Sequence, residues 1–579
     1  MDTKVPRFEP QTFGSEHSFA RIGTGSVGGK AVGLQQILQE ILPRFDASEY
    51  EGVTVAVPPA VVIATDVFSE FVHRNHLAEV ALSGIPDSRI AIDFQRGELT
   101  EEVRSELRRL LEVLRAPLAV RPSSFLEDTQ ERPFAGIFAS KLIPNSEEND
   151  DARYRRLSGA IKLAWASTFF ENAVASRRSC GLADDAEKMA VIIQEITGDR
   201  YGGRFYPTVS GLARSYNHYP VPGNKREDGV VTVALGLGKT ITDGDHVWSY
   251  CPSRATAPPP FKSTGDLLKF TQNSFWAVNV GEPPPPDPVR ESSCLVRCGL
   301  GDAEADGTLT FLSSTWDPAS DQLRTGISGN GPRALTFAPL LESRSIPFTP
   351  VMERLLELSC NVLNGEAEIE FAVNLDTENA LPMEIGFVQL RPMLTPGERT
   401  PVEECDLDGD DVLVSSDNCL GQGSRDDLTD VVYLRPQNFD RGSTRMMASE
   451  LDAVNRGLVE EGRHGVFIGL GRWGTTDDRF GVPVVWGQIS AARVIVEATM
   501  PDAPSNLSHG THFFHRLLSN RVLYMSVEAE GHGRIDWDFL DSQEAIWESS
   551  HVRHVRVDSP LDVRIDCANR RGLIRRSAD

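Results

Sequence analysis

Three scarcities bound what this chain of 579 residues does. It holds no uninterrupted apolar run of about 18 residues, the length that spans a bilayer. Its opening, MDTKVPRFEP, lacks the basic start and apolar core of a secretory leader. A soluble, cytoplasmic protein without a membrane partner is expected. Basic charge is also short: 58 Lys and Arg against 83 Asp and Glu leave a formal charge of -25. Nonspecific binding to nucleic acid or to anionic membrane needs a basic surface, so neither is expected as a partner. A small anionic substrate is still admissible, because a local basic cleft overrides the repulsion of the whole surface. Cysteine is the third scarcity. The eight cysteines (180, 251, 294, 298, 360, 405, 419 and 567) show no paired ligand spacing beyond the proximity of Cys294 and Cys298. A zinc site is not expected, and reduced thiols suit a cytosolic address.

What is present centres on residues 365 to 393, GEAEIEFAVNLDTENALPMEIGFVQLRPM. Residues two apart in a strand point the same way, so Glu368 and Glu370 share one side and Ile369 and Phe371 the other. Gln389 and Arg391 repeat the device, and DTENALP between the runs supplies turn chemistry. Two carboxylates, an amide and a guanidinium on one surface suit a hard metal ion held against a polyphosphate. The same alternation, taken alone, also describes a solvated strand face.

Earlier in the chain, IGTGSVGGKAVGLQQILQEILP (22 to 43) passes from a glycine-rich loop into a helix, with Leu34, Ile37, Leu38 and Ile41 at helical spacing and Pro43 as the stop. Lys30 stands at the helix entrance, where a flexible loop, free N–H groups and an ammonium can hold phosphate. The spacing is not that of a Walker loop, and an ordinary loop with an exposed lysine accounts for it equally well. After a charged helix near 99 to 115, a short strand over 118 to 120 is followed by Arg121, placed to clamp phosphate, then by a Ser/Gly-rich stretch ending in Phe134-Ala135-Gly136. MAVIIQEI (189 to 196) and VVTVALGLG (230 to 238) read as buried strands, with Gln194 and Glu195 near the first one's end as partners for an adenine or ribose. The proline-rich stretch from 251 to 290 reads as an extended surface excursion without chemistry, and 350 to 364 as a helix leading into the hairpin.

In order, GGKAVGL, AVRPSSFLED…FAG, MAVIIQEI, ALGLGKTITDG, EIEFAV and VQLRP resemble the ATP-binding domain of pyruvate phosphate dikinase and phosphoenolpyruvate synthase, also found in rifampin phosphotransferase. The resemblance spans roughly 15 to 395 and implies an ATP-grasp fold. It also implies that Lys30 and Arg121 hold ATP phosphates, that Glu370 and Gln389 bind magnesium, and that Arg391 contacts the transferring phosphoryl group. Gly136, Gln194, Glu195 and Glu368 would lie around the nucleotide. Glu368 stands where the family usually has aspartate, Pro122 replaces the usual serine after the arginine, and Ile137-Phe138 replace polar residues. The loop GDRYGGRFYPTVSG is unlike the family's usual hairpin.

The stretch from 396 to 579 is shorter than the about 250 residues of a TIM barrel, so the pyruvate-handling barrel is not expected in it. DLDGDD (406 to 411) lacks the closing glutamate of a calcium loop and reads as a solvated linker. Leu507 to His512, LSHGTH, resembles weakly the Thr-Ser-His-Ala join of the swivelling phosphohistidine domain of the same enzymes, which implies His509, or else His512, as a phosphate carrier; capping by Ser508 is the plainer account. The role of GLGRWG (469 to 474) is not assigned. The expected architecture is α/β (α+β): an ATP-grasp-type domain over 1 to 395 and a smaller α/β domain over 396 to 579, for which the LSHGTH resemblance implies a phosphohistidine-like domain. The expected activity is ATP- and magnesium-dependent phosphotransfer to a small molecule, directly or through a histidine. An acyl-phosphate-forming ligase and a non-catalytic nucleotide-binding regulator are the alternatives, and a partner protein or a homo-oligomer is left open.

Overall fold

In the computed structural model the chain separates into two compact units. The larger holds Met1–Gln130, Gly136–Val174 and Ala183–Met393; the smaller holds Leu394–Asp579 with the short segments Glu131–Ala135 and Ala175–Leu182. The structure describes residues 5–14, 18–124, 137–179, 182–183, 186–217, 224–243, 245–255, 264, 267–268, 271–282, 284–329, 331–393, 400–420, 422–474, 481–499, 517, 522–528, 533–566 and 569–576. Among these, no helix is long and apolar enough to cross a membrane.

The elements of the larger unit that position the site are β1 (Phe19–Ile22), α1 (Gly28–Gln36), β2 (Val53–Ala56), β3 (Ala60–Ile63), β4 (Leu118–Ser124), β5 (Lys141–Ile143), β6 (Met189–Glu195), β7 (Val209–Arg214), β8 (Val230–Leu235), β9 (Trp248–Tyr250), α2 (Phe348–Leu363), β10 (Ala367–Asp376) and β11 (Ala380–Pro392). One sheet runs β1-β3-β6-β4-β5 and a second β9-β8-β7-β10-β11-β2. The alternation read over 365 to 393 does form an antiparallel hairpin, with Glu368 opposite Arg391 and Glu370 opposite Gln389. Its turn is closed by the Asp376 carboxylate, which accepts from the backbone N–H of Glu378 at 3.0 Å and of Asn379 at 2.8 Å. Ile369, Phe371 and Val373 face the core with Phe348, Val351 and Leu355 of α2. That division of faces leaves the charged residues on the opposite side of the sheet.

Several expectations need correction. The strand carrying Arg121 does not stop at 120: it continues through Ser124, pairing with β6 along its whole length, so Arg121 lies within a strand and not at its end. The glycine-rich loop is pinned rather than flexible. Asp66 accepts from Thr24 N and Thr24 Oγ1, both at 2.8 Å, and Thr65 Oγ1 accepts from Ser26 N at 3.0 Å. The α1 helix ends at Gln36 and continues as a π turn, Ile37–Ile41, and a 3₁₀ turn, Leu42–Arg44. The stretch from 251 to 290 is not all surface: Ser274–Asn279 is a strand with Phe275, Ala277 and Val278 fully buried, flanked in its sheet by Leu295–Gly299 and by the hairpin Asp199–Tyr201/Arg204–Tyr206.

The smaller unit is a ten-stranded sheet among the described residues. Gln422–Leu434, Gly465–Leu470, Ala492–Ala498 and Leu523–Val527 lie side by side and parallel, and the helix Thr444–Glu460 connects the first two, as a crossover must. Val552–Asp566 then continues the sheet antiparallel to Gln422–Leu434. The GLGRWG segment ends a parallel strand and ties it to the next, Trp473 N donating to Glu497 Oε1 at 2.9 Å while Tyr524 OH donates to Glu497 Oε2 at 2.6 Å. The acidic stretch 406 to 411 is not a free linker: Asp411 pairs with Arg575 at 3.0 Å, and its carbonyl accepts from Arg576 N at 2.9 Å.

Candidate nucleotide site

Helix α1 enters the site by wedging between the two sheets. Gly28 has φ +76°, and a Cβ there would stand 1.9 Å from Ser123 O; a Cβ on Gly33 would stand 2.6 Å from Leu390 O. Only glycine permits both approaches. Ser123 fastens the join, donating to Val27 O at 2.8 Å and accepting from Ala31 N at 3.2 Å. Lys30, nearly buried, donates to Pro122 O at 3.2 Å. The proline that costs the strand an N–H therefore keeps a carbonyl that holds the lysine beside Arg121.

Arg121 crosses from the first sheet to the hairpin. Its Nη2 donates to Glu370 Oε2 at 3.0 Å and to Gln389 Oε1 at 2.6 Å, and its Nη1 to Val388 O at 3.2 Å. Val388 is the extra residue of a bulge, since Glu370 opposes Gln389 while Phe371 opposes Phe387. Burial alone would push the Glu370 carboxyl up. The charges of Arg121, Arg391 and Lys30 outweigh burial and the repulsion of Glu368, and hold it below the usual carboxylate range. Glu368, almost fully buried, is gripped by Arg391 and, through Oε2 at 2.5 Å, by Arg214 Nε.

The structure thus brings Lys30, Arg121, Glu368, Glu370, Gln389 and Arg391 together. Gln194 and Glu195 are engaged in the fold. Gln194 is buried in β6, and Glu195 Oε1 accepts from Arg115 N at 3.1 Å and Ala116 N at 3.3 Å. Gly136, His509 and His512 lie outside the described residues. Arg214 was missed: a single arginine at a strand end carries no local pattern, and its partner is 154 positions away. The donor set suits a hard cation, since a carboxylate oxygen and an amide oxygen already converge on one positively charged nitrogen.

A cluster of cations and carboxylates around paired sheets, entered by a glycine-led helix, is an arrangement that suits a polyanion in a mixed α/β fold. Residues 24–249 match the family of the pyruvate phosphate dikinase AMP/ATP-binding domain, an ATP-grasp-type nucleotide-binding fold, so the resemblance read from the motifs holds over that region. The chain is similar to a phosphoenolpyruvate synthase of Aeropyrum pernix, 27% identical over 240 residues, covering 38% of this chain and 25% of the relative. It is also similar to a rifampicin phosphotransferase of Streptomyces sviceus, 27% identical over 237 residues, covering 38% of this chain and 23% of the relative. The chain spans about a quarter of the length of these relatives. The hairpin lies beyond the matched residues, and its tie to them is structural: β10 pairs with β7, Glu370 opposite Leu212 and Glu368 opposite Arg214.

Proposed function

We propose that the chain is an ATP- and magnesium-dependent phosphotransferase acting on a small molecule, directly or through a histidine of its own. The observation that carries this reading is the meeting of Lys30, Arg121, Glu370, Gln389 and Arg391 from three separate parts of the sequence, joined to the match of residues 24–249 with an AMP/ATP-binding domain. The names of the relatives, a synthase of phosphoenolpyruvate and a phosphotransferase of rifampicin, support a small-molecule acceptor.

Lys30 and Arg121 hold the ATP phosphates in this reading, and Arg391 meets the phosphoryl group in transfer. Glu370 and Gln389 would hold magnesium, which supplies neutralisation of phosphate charge. Arg121 now bonds both of those oxygens, so its guanidinium exchanges them for phosphate when nucleotide enters. Positioning and charge neutralisation then supply most of the rate, as is general for phosphoryl transfer. The test is titration with MgATP, followed by ATP consumption in the presence of a metabolite pool with product identification. Binding in the micromolar-to-millimolar range and acceptor-dependent loss of ATP are expected. AMP as product marks a dikinase-like route, and ADP a direct kinase or the ligase. No binding of MgATP overturns the reading.

A further inference from the structure

The smaller unit buries a histidine that phosphate binding does not use. His551 is 8% exposed and stands just before the strand Val552–Asp566. Its carbonyl accepts from Arg435 N at 2.8 Å, which puts it at the carboxyl end of the strand Gln422–Leu434, beside the parallel strand Gly465–Leu470. That end of a parallel sheet is where an α/β fold gathers ligand-handling groups. Glu450, from the crossover helix Thr444–Glu460, holds His551 twice: Oε1 lies 3.0 Å from Nδ1, and Oε2 accepts from the backbone N–H at 3.1 Å. Ser549 Oγ also donates to Oε2, at 2.5 Å. Burial would raise the Glu450 carboxyl, but the bonds from Ser549 and His551 hold it below its usual range, so it is ionised at neutral pH. A carboxylate only accepts, so Nδ1 carries the proton and Nε2 the lone pair. Nε2 has no partner among the described residues and is not sealed from solvent. His554, three residues on, is different: its partner Asp430 also takes Arg463 and Arg556, which already neutralise it. Among the described residues no arginine or lysine pairs with Glu450, so its charge is left for His551. Asp440, in the loop entering the same helix, adds to that field; its carboxyl is held down first by Ser443 and Gly442 and also by His551.

We propose that His551 is the general base of the second unit, its Nε2 taking the proton from an O–H group of the small-molecule acceptor, with Glu450 as its positioning residue. This rests on the phosphotransfer reading above. As the acceptor oxygen attacks phosphorus, its O–H bond breaks and the proton goes to the Nε2 lone pair. The new O–P bond forms while the bond from phosphorus to the leaving nucleotide, or to a phosphorylated histidine, breaks and its electron pair departs with that group. An ionised carboxylate on Nδ1 fixes the ring and its tautomer and stabilises the imidazolium that results.

The experiment has one arm without ligand and one with turnover, each on the full chain with fold checked by circular dichroism. In the first, diethyl pyrocarbonate, which attacks only the unprotonated imidazole, is applied between about pH 5 and 8, and modified peptides are mapped by mass spectrometry. His551 is expected to react, and its half-maximal rate to move to lower pH in Glu450→Gln, because the lost carboxylate no longer favours the imidazolium. An unmodified His551, or a half-maximal pH unmoved in Glu450→Gln, overturns the inference with no nucleotide involved. In the second arm, ATP consumption is followed with magnesium and the metabolite pool. His551→Ala is expected to slow it about a hundredfold or more with MgATP affinity by calorimetry unchanged, and added imidazole to restore part of the rate. Consumption at the unaltered rate in His551→Ala, or a loss that imidazole does not restore, overturns the inference. Where His551→Ala fails to fold, the reagent rates of Glu450→Gln decide. Failure of the unaltered chain to bind MgATP overturns the nucleotide reading itself, whatever the reagent rates.

Discussion

Arg121 joins the first sheet to the hairpin, reaching Glu370, Gln389 and Val388 at once. Replacing Arg121 or Lys30 by alanine leaves part of a triphosphate's charge unmatched, a loss of about 2–5 kcal/mol for a buried charge pair. Each variant is expected to weaken MgATP binding at least tenfold by calorimetry with the circular dichroism spectrum unchanged; unaltered affinity in both removes them from the site. Glu370→Gln should depress turnover more than Gln389→Ala, because only the former removes a charge from the metal position; the reverse order in a steady-state comparison contradicts the pairing. The Glu370 carboxyl is held below its ordinary value, so its ion pairs are fully present above about pH 4.5 and are lost as pH falls further. At this scale the sequence exposes what has local pattern. Glu368, Glu370, Gln389 and Arg391 were readable from a period of two, and Lys30 from the glycines before it. Arg214 was not, since its meaning arises only when β7 is laid against β10 in one register.

Among elements, α1 and the hairpin act as one device. A methyl group on Gly33 falls 2.6 Å from Leu390 O, a backbone atom that cannot turn aside. Gly33→Ala is expected to cost about 1–3 kcal/mol by overpacking and to weaken MgATP binding by shifting Lys30; Gly301→Ala, where nothing lies within 4 Å, is the control for thermal melting. The bulge at Val388 was invisible beforehand, because an inserted residue leaves the alternation of Gln389 and Arg391 intact. Ser274–Asn279 was hidden by neighbouring prolines, although its own SFWAVN has the aromatic and β-branched content of a strand. In the smaller unit, Asp430 ties its own strand to Val552–Asp566 and to the turn after the helix Thr444–Glu460, accepting from His554 Nε2 at 2.8 Å, Arg556 Nε at 2.9 Å and Arg463 Nη2 at 2.6 Å. Burial would raise its carboxyl, but the bonds from His554, Arg463 and Arg556 bring it down to about 2. A depressed carboxyl stabilises above its unfolded value, about 3.9, and that stability fades as pH falls from there toward about 2. Asp430→Asn is expected to lose about 3 kcal/mol at neutral pH and to flatten the acid limb of urea denaturation followed at several pH values. An unchanged acid limb shows that Asp430 does not set it.

For the molecule as a whole the proposed phosphotransfer has two possible routes, because the chain pairs a unit that matches an AMP/ATP-binding domain with a second unit whose sheet has four adjacent parallel strands. His509 and His512 fall in the connection between the last two of these strands, Ala492–Ala498 and Leu523–Val527, outside the described residues. If a histidine carries the group, an unprotonated ring nitrogen attacks phosphorus, the P–O bond to the leaving ADP (AMP where a pyrophosphoryl group moves) breaks as an acid-labile N–P bond forms, and that bond breaks in turn when the acceptor takes the group. His509 is the expected carrier, as it follows Ser508 directly, and His512 the alternative. Incubation with ATP labelled at the β and γ phosphates, acid treatment and peptide mapping decide between them. Label lost in acid and absent only from His509→Ala establishes the relay, and absence only from His512→Ala moves it three residues on. Acceptor-dependent turnover with no label on the protein shows direct transfer from ATP and removes both histidines as carriers.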